Sequence, residues 1–432
     1  MDDIVLAEVN SVPRVEQAIA ASIESIFTIL GDPCPEARQD PVSWDKLFDM
    51  VIGFCNKILG VVINTRTMTV RTPENYVQDT VSLMTTTWHA KRRSFTISEI
   101  EQLTGCLGHI AQTSPWLRFI MSEVYTSIRH CLKLSRNILV THSAQFRRAL
   151  KMAKQCATNA TEERHKSFGT SQAAKMVHRN KKRFYINPTL RLELDIILDA
   201  LTAPWIDMHR PIGHMVPSRD ARGSAYSDSS LHAAGGYSFK LRFWWYFEWP
   251  EEVQRLTLRY VVKYKTENGE IIVSINVLEY AAMIITYVAG YHVMVQIDPS
   301  ARDPYPLMEL WADNTSAETW ILKASKASFI GRALSRIQCA LMINNPVGIT
   351  AHYINTHDNV IADRISRILH EKLIPLEFSK LSQEYPELRH CRRFQPSAEL
   401  ISLLMDALLT DKFNNPLDAS QRILSAPGRL IA

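Results

Sequence analysis

Residues 223–239 read Gly223-Ser-Ala-Tyr-Ser-Asp228-Ser-Ser-Leu-His-Ala-Ala-Gly235-Gly236-Tyr237-Ser-Phe239. Asp228 stands among small residues at the end of one β-like run. Gly235-Gly236 is a turn signal, and a second β-like run begins at Tyr237. The pattern predicts a hairpin that lifts one carboxylate to an open sheet surface. An Asp beside Ser and Gly is also an ordinary turn former, so this stretch by itself leaves both readings open.

Three later acids extend the pattern. Glu279 lies in Ser274-Ile-Asn-Val-Leu-Glu279-Tyr-Ala-Ala-Met-Ile-Ile285, an apolar helix-like segment. One residue on from Leu278, it sits about 100° round the helix from the line Leu278, Ala281/Ala282, Ile285. It therefore flanks the core and can face the edge of a sheet. Asp313 ends the strand-like run Pro306-Leu-Met-Glu-Leu-Trp-Ala312, and Thr315-x-x-Glu318 is expected to cap the helix that follows. Asp363 lies opposite the face made by Ile361, Ile365, Ile368 and Leu369, so it projects away from the core. All four acids are expected where a carboxylate stays wet.

Two segments carry a family resemblance: His352-Tyr353-Ile354 and Asp358-Asn-Val-Ile-Ala-Asp363-Arg-Ile-Ser-Arg367. The second is similar to the "DNVVADALSR"-like ending of the ribonuclease H domain in retrotransposon polyproteins. Residues 223–370 resemble that domain. The resemblance implies an α/β fold with a mixed five-stranded sheet and flanking helices. It also implies two magnesium ions, with manganese as the alternative. Asp228 would bridge them, Glu279 and Asp313 would complete one site, and Asp363 the other. His357 would help release product, although a plain loop histidine is the other reading of that residue. The substrate implied is the RNA strand of an RNA–DNA hybrid.

Upstream segments resemble the same polyproteins more thinly. Met1-Asp2-Asp3-Ile4-Val5-Leu6 resembles the acid-pair hairpin of a reverse-transcriptase palm, so Asp2 and Asp3 are vestigial polymerase ligands by that resemblance. The fingers and the third palm carboxylate would precede Met1, and no polymerase activity is expected from this chain alone. Pro13 to Leu30 has helical apolar spacing, stopped by Gly31-Asp32-Pro33. Two β-branched runs around Asn64-Thr65-Arg66 predict a hairpin, similar to the "LGFVIDTRTMTV"-like primer grip. Ser98-x-x-Glu101 offers a capping box for a helix carrying Ile100, Leu103, Leu107 and Ile110, and the block Leu103 to Trp116 resembles a thumb segment. Gly105 and Gly108 there permit either close approach to a duplex or helix packing. Lys91-Arg92-Arg93 reads as a solvated basic loop.

The chain has 432 residues, 46% hydrophobic and 22% charged, as in ordinary globular proteins. Its formal charge is +5, yet residues 141–185 hold 11 Lys+Arg against two acids, a local +9, leaving −4 elsewhere. Arg147, Arg148, Lys151, Lys154, Lys181, Lys182 and Arg183 are the candidate phosphate contacts, with a solvated face as the bland alternative. The seven cysteines show no CxxC spacing, which argues against a zinc ribbon or a disulfide framework. No basic leader precedes the first apolar run, so no signal peptide and an intracellular setting are expected. Leu278 to Val295 is apolar but carries Glu279, Gly290 and His292, so a buried helix followed by a strand is expected instead of a membrane span. Leu241 to Trp249 predicts a third, core-filling strand. Residues 250–272 look like an insertion with a hairpin turn at Asn268-Gly269. Beyond Leu369, Pro375, Pro386, Pro396 and a helical pattern at Ala398–Leu409 suggest a tether.

The expected organisation is a palm-end and thumb remnant (1–125), a basic helical connection (126–222), a ribonuclease H-like domain (223–370) and a C-terminal tether (371–432). The expected function is metal-dependent cleavage of the RNA in hybrids, with other element-encoded proteins as partners. The alternatives are a silent nucleic-acid-binding remnant of a mobile element and a transposase-like strand-transfer enzyme.

Overall fold

A computed structural model of the chain describes residues 12–30, 53–138, 144–155, 169–215 (without 171, 174 and 178), 221–261, 273–298, 305–325, 328–410 and 415–431. It forms two compact units, Met1–Pro73 and Glu74–Ala432.

In the first unit the helical spacing after Pro13 gives α1 (Val12–Leu30). Strands β1 (Cys55–Ile58), β2 (Val61–Asn64) and β3 (Thr69–Arg71) are antiparallel. The hairpin expected at Asn64-Thr65-Arg66 is present, closed by Asn64 Oδ1, which accepts from the N–H groups of Arg66 and Thr67 at 3.0 and 3.2 Å. A second tight turn lies at Leu59-Gly60, where both residues have positive φ. Asp2 and Asp3 lie outside the described residues.

The second unit opens with α2 (Glu74–Thr86), β4 (Ser94–Thr96) and α3 (Ile97–Thr113). The cap of α3 is two residues earlier than the sequence suggests. Thr96 accepts from the Glu99 N–H, and Glu99 accepts from the Thr96 N–H, the reciprocal pair of a capping box. Glu99 is held there by Arg92, which also donates to the Thr87 and Ser94 carbonyls and lies over the Trp88 ring. Arg92 is therefore not part of a solvated loop. Glu101, the residue expected in the capping box, pairs instead with Lys175. Gly105 and Gly108 face open space, since a Cβ at either would meet nothing within 4 Å.

Next come α4 (Ser122–Ile138), α5 (Ala144–Gln155), β5 (Arg183–Tyr185) and α6 (Pro188–Thr202). One core, including Leu103, Leu117, Val124, Leu190 and Ile197, also takes in Cys339 and Ile343 from far downstream. Packing thus runs across the boundaries expected at 125/126 and 222/223.

A seven-stranded sheet organises the rest. Strands β6 (Gly223–Ser229), β7 (Ala233–Ser238) and β8 (Phe243–Glu248) are consecutive and antiparallel. The turn between the first two is Ser230–His232; Gly235 and Gly236 lie inside β7 and are not the turn. They are in the strand because neighbours crowd it: a Cβ on Gly235 would stand 2.3 Å from Ile365 Cγ2, and one on Gly236 would stand 2.5 Å from Trp245 Nε1.

After β8, α7 (Glu251–Val261) occupies the first part of the expected insertion, and Asn268-Gly269 lies outside the described residues. Helix α8 (Ile275–Tyr291) is apolar on every side apart from Asn276, Glu279 and Thr286 and is buried from Val277 to Tyr291, as a helix sandwiched between layers must be. It continues into a π-helical stretch, His292–Ile297, instead of passing directly to a strand. This segment is long and apolar enough to cross a membrane, but 78% of the apolar window is buried inside the protein.

Strand β9 (Leu307–Ala312) then pairs parallel with β6, and after α9 (Thr315–Lys323) and α10 (Phe329–Met342) strand β10 (Gly348–Tyr353) pairs parallel with β9. Helix α11 (Val360–Ser366) and α12 (Ile374–Glu384) cover the β7–β8 side through Ile361, Ile365, Ile374 and Leu381.

The C-terminal region is not a tether. Strand β11 (Arg392–Pro396) pairs parallel with β8, and β12 (Gly428–Ile431) pairs antiparallel with β11. Helices α13 (Ala398–Leu409) and α14 (Pro416–Ser425) bury Leu400, Leu404, Leu408 and Ile423 in the same core as α8. The sheet order is β10-β9-β6-β7-β8-β11-β12, so the protein is of the α/β class with two strands more than the sequence implies.

Candidate metal centre

Three of the four expected acids meet. Asp228, Glu279 and Asp313 each offer a carboxylate oxygen, and these atoms all lie within 4.8 Å of one another. The topology brings them together. Asp228 is near the C-terminal end of β6, and Asp313 directly follows β9, its parallel neighbour. Glu279 projects from the first turns of α8.

Local hydrogen bonds fix the corner after Asp313 and the carboxyl of Glu279. Asn314 caps α9 by accepting from the Ser316 and Ala317 N–H groups, in place of the Thr315/Glu318 box expected from sequence. Its Nδ2 donates to Asn276 Oδ1 at 2.8 Å, which ties the Asp313 corner to the turn of α8 below Glu279. The Ser229 N–H donates to the Glu279 carboxyl.

Two of the acids are not wet. Asp228 is 5% and Glu279 4% exposed, because α8 lies fully against the sheet. Burial, followed by the neighbouring charges of Asp228 and Asp313, pushes the Glu279 carboxyl far above the usual range. Burial also pushes Asp228 up to about 6, with Asp313 and Asp363 adding to the rise. At 4.8 Å, two ionised carboxylates repel by about 3 kcal/mol in an effective dielectric of ~20. Three together cost an appreciable share of a domain's net stability unless a proton or a cation intervenes. Glu279 Oε2 is also buried without a hydrogen-bond donor. Oxygen-only ligands, a donor-free buried carboxylate oxygen and mutual repulsion all fit a hard divalent cation.

Asp363 stands apart from this group of three. Its side chain is 24% exposed and accepts from Arg367 at 2.7 Å, one helical turn on. Its charge still reaches the cluster and helps raise Asp228. His357 is exposed in the turn before α11, with its backbone N–H on Asn355 Oδ1, and no hydrogen bond joins it to the acids.

Two further residues belong to the site without standing out in the sequence. Ser366 donates its hydroxyl to Asp228 Oδ2, and Asn359 Nδ2 donates to the Ser227 carbonyl at 3.0 Å. A signal for them is present, because Asn359, Asp363 and Ser366 recur at spacings of four and three. That puts them on one face of α11, opposite Ile361 and Ile365.

Among the basic candidates, Arg147, Arg148 and Lys151 are exposed on α5, whose other face buries Phe146, Ala149 and Ala153. Lys181 is exposed. Lys182 and Arg183 are used within the fold: Lys182 Nζ lies 5.4 Å from the Phe184 ring, and Arg183 donates to Ser94 Oγ at 2.9 Å. The side chain of Lys154 lies outside the described residues.

Fold and site together define an α/β protein with a buried acidic triad suited to a metal ion. No protein-family model matches the chain, and no curated protein does.

Proposed function

We propose that the protein is a ribonuclease H-type phosphodiester hydrolase that cuts the RNA strand of RNA–DNA hybrids, as part of a retrotransposon reverse-transcriptase polyprotein. The observation that carries this reading is the convergence of Asp228, Glu279 and Asp313, in the order and on the kinds of element that the resemblance implies. The mixed pairing of β6 to β10 is consistent with it. The ion proposed is magnesium, with manganese as the alternative. Bound divalent ions supply an activated water and charge stabilisation for the leaving oxygen of a phosphodiester.

The chain's own residues have distinct tasks in this reading. Asp228 and Glu279, buried, offer carboxylate oxygens for which no solvent competes; Glu279, whose carboxyl lies far above the usual range, would release its proton when a cation binds, and Asp313 closes the group. Asp363, half-buried and on a salt bridge, is free to complete the centre when Arg367 turns to another anion such as a backbone phosphate. The exposed cations of α5 offer sequence-independent phosphate contacts.

A second reading, a catalytically silent nucleic-acid binder of a mobile element, is favoured by one observation: Asp363 is engaged by Arg367 and not by the other acids. Magnesium-dependent cleavage of a labelled RNA–DNA hybrid by the wild type and by Asp313→Asn separates the two. Cleavage that disappears in the variant supports the hydrolase. Salt-sensitive binding without cleavage by either protein supports the silent binder. In both readings the proposed setting is intracellular, with other element-encoded proteins as partners.

A further inference from the structure

We infer that Ser366 is a positioning residue of the carboxylate cluster: its hydroxyl holds one oxygen of Asp228, so that the other is presented to the cation. The inference rests on the metal-binding reading above and extends it to a residue outside the acid set.

Ser366 is fully buried at the last turn of α11, and its Oγ donates to Asp228 Oδ2. The same hydroxyl lies 2.9 Å from the Asp363 carbonyl. A serine has one proton to give, so the two acceptors compete, and an ionised carboxylate takes it in preference to a neutral amide carbonyl. The serine cannot drift, because its own carbonyl accepts from Ser230 Oγ at 2.7 Å, in the turn that follows β6.

The short side chain reaches Asp228 only because helix and sheet are unusually close. Gly235 is the cross-strand partner of Asp228. A Cβ there would come within 2.3 Å of Ile365 Cγ2 and 3.1 Å of the Ser366 nitrogen. Absence of a side chain at Gly235 thus lets α11 settle onto β7, and Ser366 arrives at hydrogen-bond distance as a result. One helix then does two things: it carries Asp363, and it fixes the rotamer of Asp228 some 138 residues upstream. Without the hydroxyl, the Asp228 carboxylate regains rotation in a pocket where its neighbours repel it.

The test uses the full chain and Mn2+ as the probe. Isothermal titration is run on the wild type, Ser366→Ala and Ser366→Thr, with the metal-free thermal midpoint of each and hybrid cleavage at limiting and at saturating Mn2+. Ser366→Ala is expected to bind Mn2+ about 10-fold more weakly, as for other residues that orient a metal ligand. Its metal-free midpoint should fall modestly, because a buried donor to the Asp228 carboxylate is lost, while its unfolding stays cooperative. Its cleavage should fall at limiting Mn2+ and recover at saturating Mn2+, which a folding defect would not do. Ser366→Thr, which keeps the hydroxyl, should restore affinity. Equal Mn2+ affinity in wild type and Ser366→Ala would overturn the role of Ser366 and leave the metal centre standing. No Mn2+ binding by the wild type would overturn both.

Discussion

Asn359 Nδ2 donates to the carbonyl of Ser227 at 3.0 Å, joining the start of α11 to the residue before Asp228. Both partners are almost fully buried, so the bond has no water to replace it. Asn359→Ala would leave that carbonyl without its donor and is expected to cost about 1–3 kcal/mol. Urea unfolding of wild type and variant measures the loss. A variant with an unchanged midpoint would show that this latch carries no stability.

Metal removal and removal of the Asp228 charge should shift stability in opposite directions. In metal-free wild type, Asp228 is ionised at pH 7 against burial and the charges of Asp313 and Asp363, which is why its carboxyl rises to about 6. Asp228→Asn removes that repulsion and weakens the Ser366 hydrogen bond. The metal-free variant is expected to be the more stable by about 1–3 kcal/mol, since each tenfold change in proton affinity is worth about 1.4 kcal/mol. Millimolar magnesium should raise the melting temperature of the wild type and leave Asp228→Asn unmoved. Thermal melts with EDTA and with magnesium test this, and a magnesium response in the variant equal to that of the wild type would defeat it.

Much of the site is legible in the sequence, and the departures have definite causes. The four acids are visible because each interrupts a run of opposite character: Asp228 among small residues, Glu279 in an apolar helix, Asp313 and Asp363 at the edge of β and helical patterns. What pattern alone does not supply is depth. Whether Glu279 flanks the core or is sealed within it depends on how closely α8 lies to the sheet, which periodicity does not record. The glycine pair misleads for a similar reason. Gly235-Gly236 is a strong local turn signal, but tertiary crowding by Ile365 and Trp245 decides its place inside β7. Strands β11 and β12 escape pattern reading because they are short and bounded by Pro396 and Gly428, which read locally as loop. Their place beside β8 is set by long-range packing.

A buried acid away from the metal centre, Glu193, gives a pH signature of its own. Glu193 accepts from the backbone N–H groups of Glu123 and Val124 and from Ser122 Oγ, so it caps the start of α4 from inside the core. Burial outweighs these bonds and pushes its carboxyl from the ordinary 4.5 up to about 8. A carboxyl raised in the folded state binds its proton more tightly there than in the unfolded chain. Its contribution is therefore complete below pH 4.5 and is lost as pH rises towards 8, by about 1.4 kcal/mol for each tenfold difference in proton affinity between the two states. Denaturant unfolding at about pH 5 and about pH 8 should show the wild type losing stability over that interval. Glu193→Gln should lose less, and a variant with the same pH dependence as the wild type would rule Glu193 out as the source.

The exposed face of α5 makes a prediction about salt. Arg147, Arg148 and Lys151 point outward while Phe146 and Ala149 anchor the helix, so replacing the three cations leaves its packing intact. If they meet backbone phosphates, each releases counterions on binding, and the plot of log affinity against log salt should become shallower by about one unit for each phosphate no longer neutralised. Hybrid binding by the triple alanine variant, followed by fluorescence anisotropy at several salt concentrations, should weaken for every sequence tried. Cleavage at saturating hybrid should be retained, because none of the three residues belongs to the acid cluster. A slope identical to that of the wild type would mean that α5 is only a solvated face, and that the hybrid is held elsewhere on the protein.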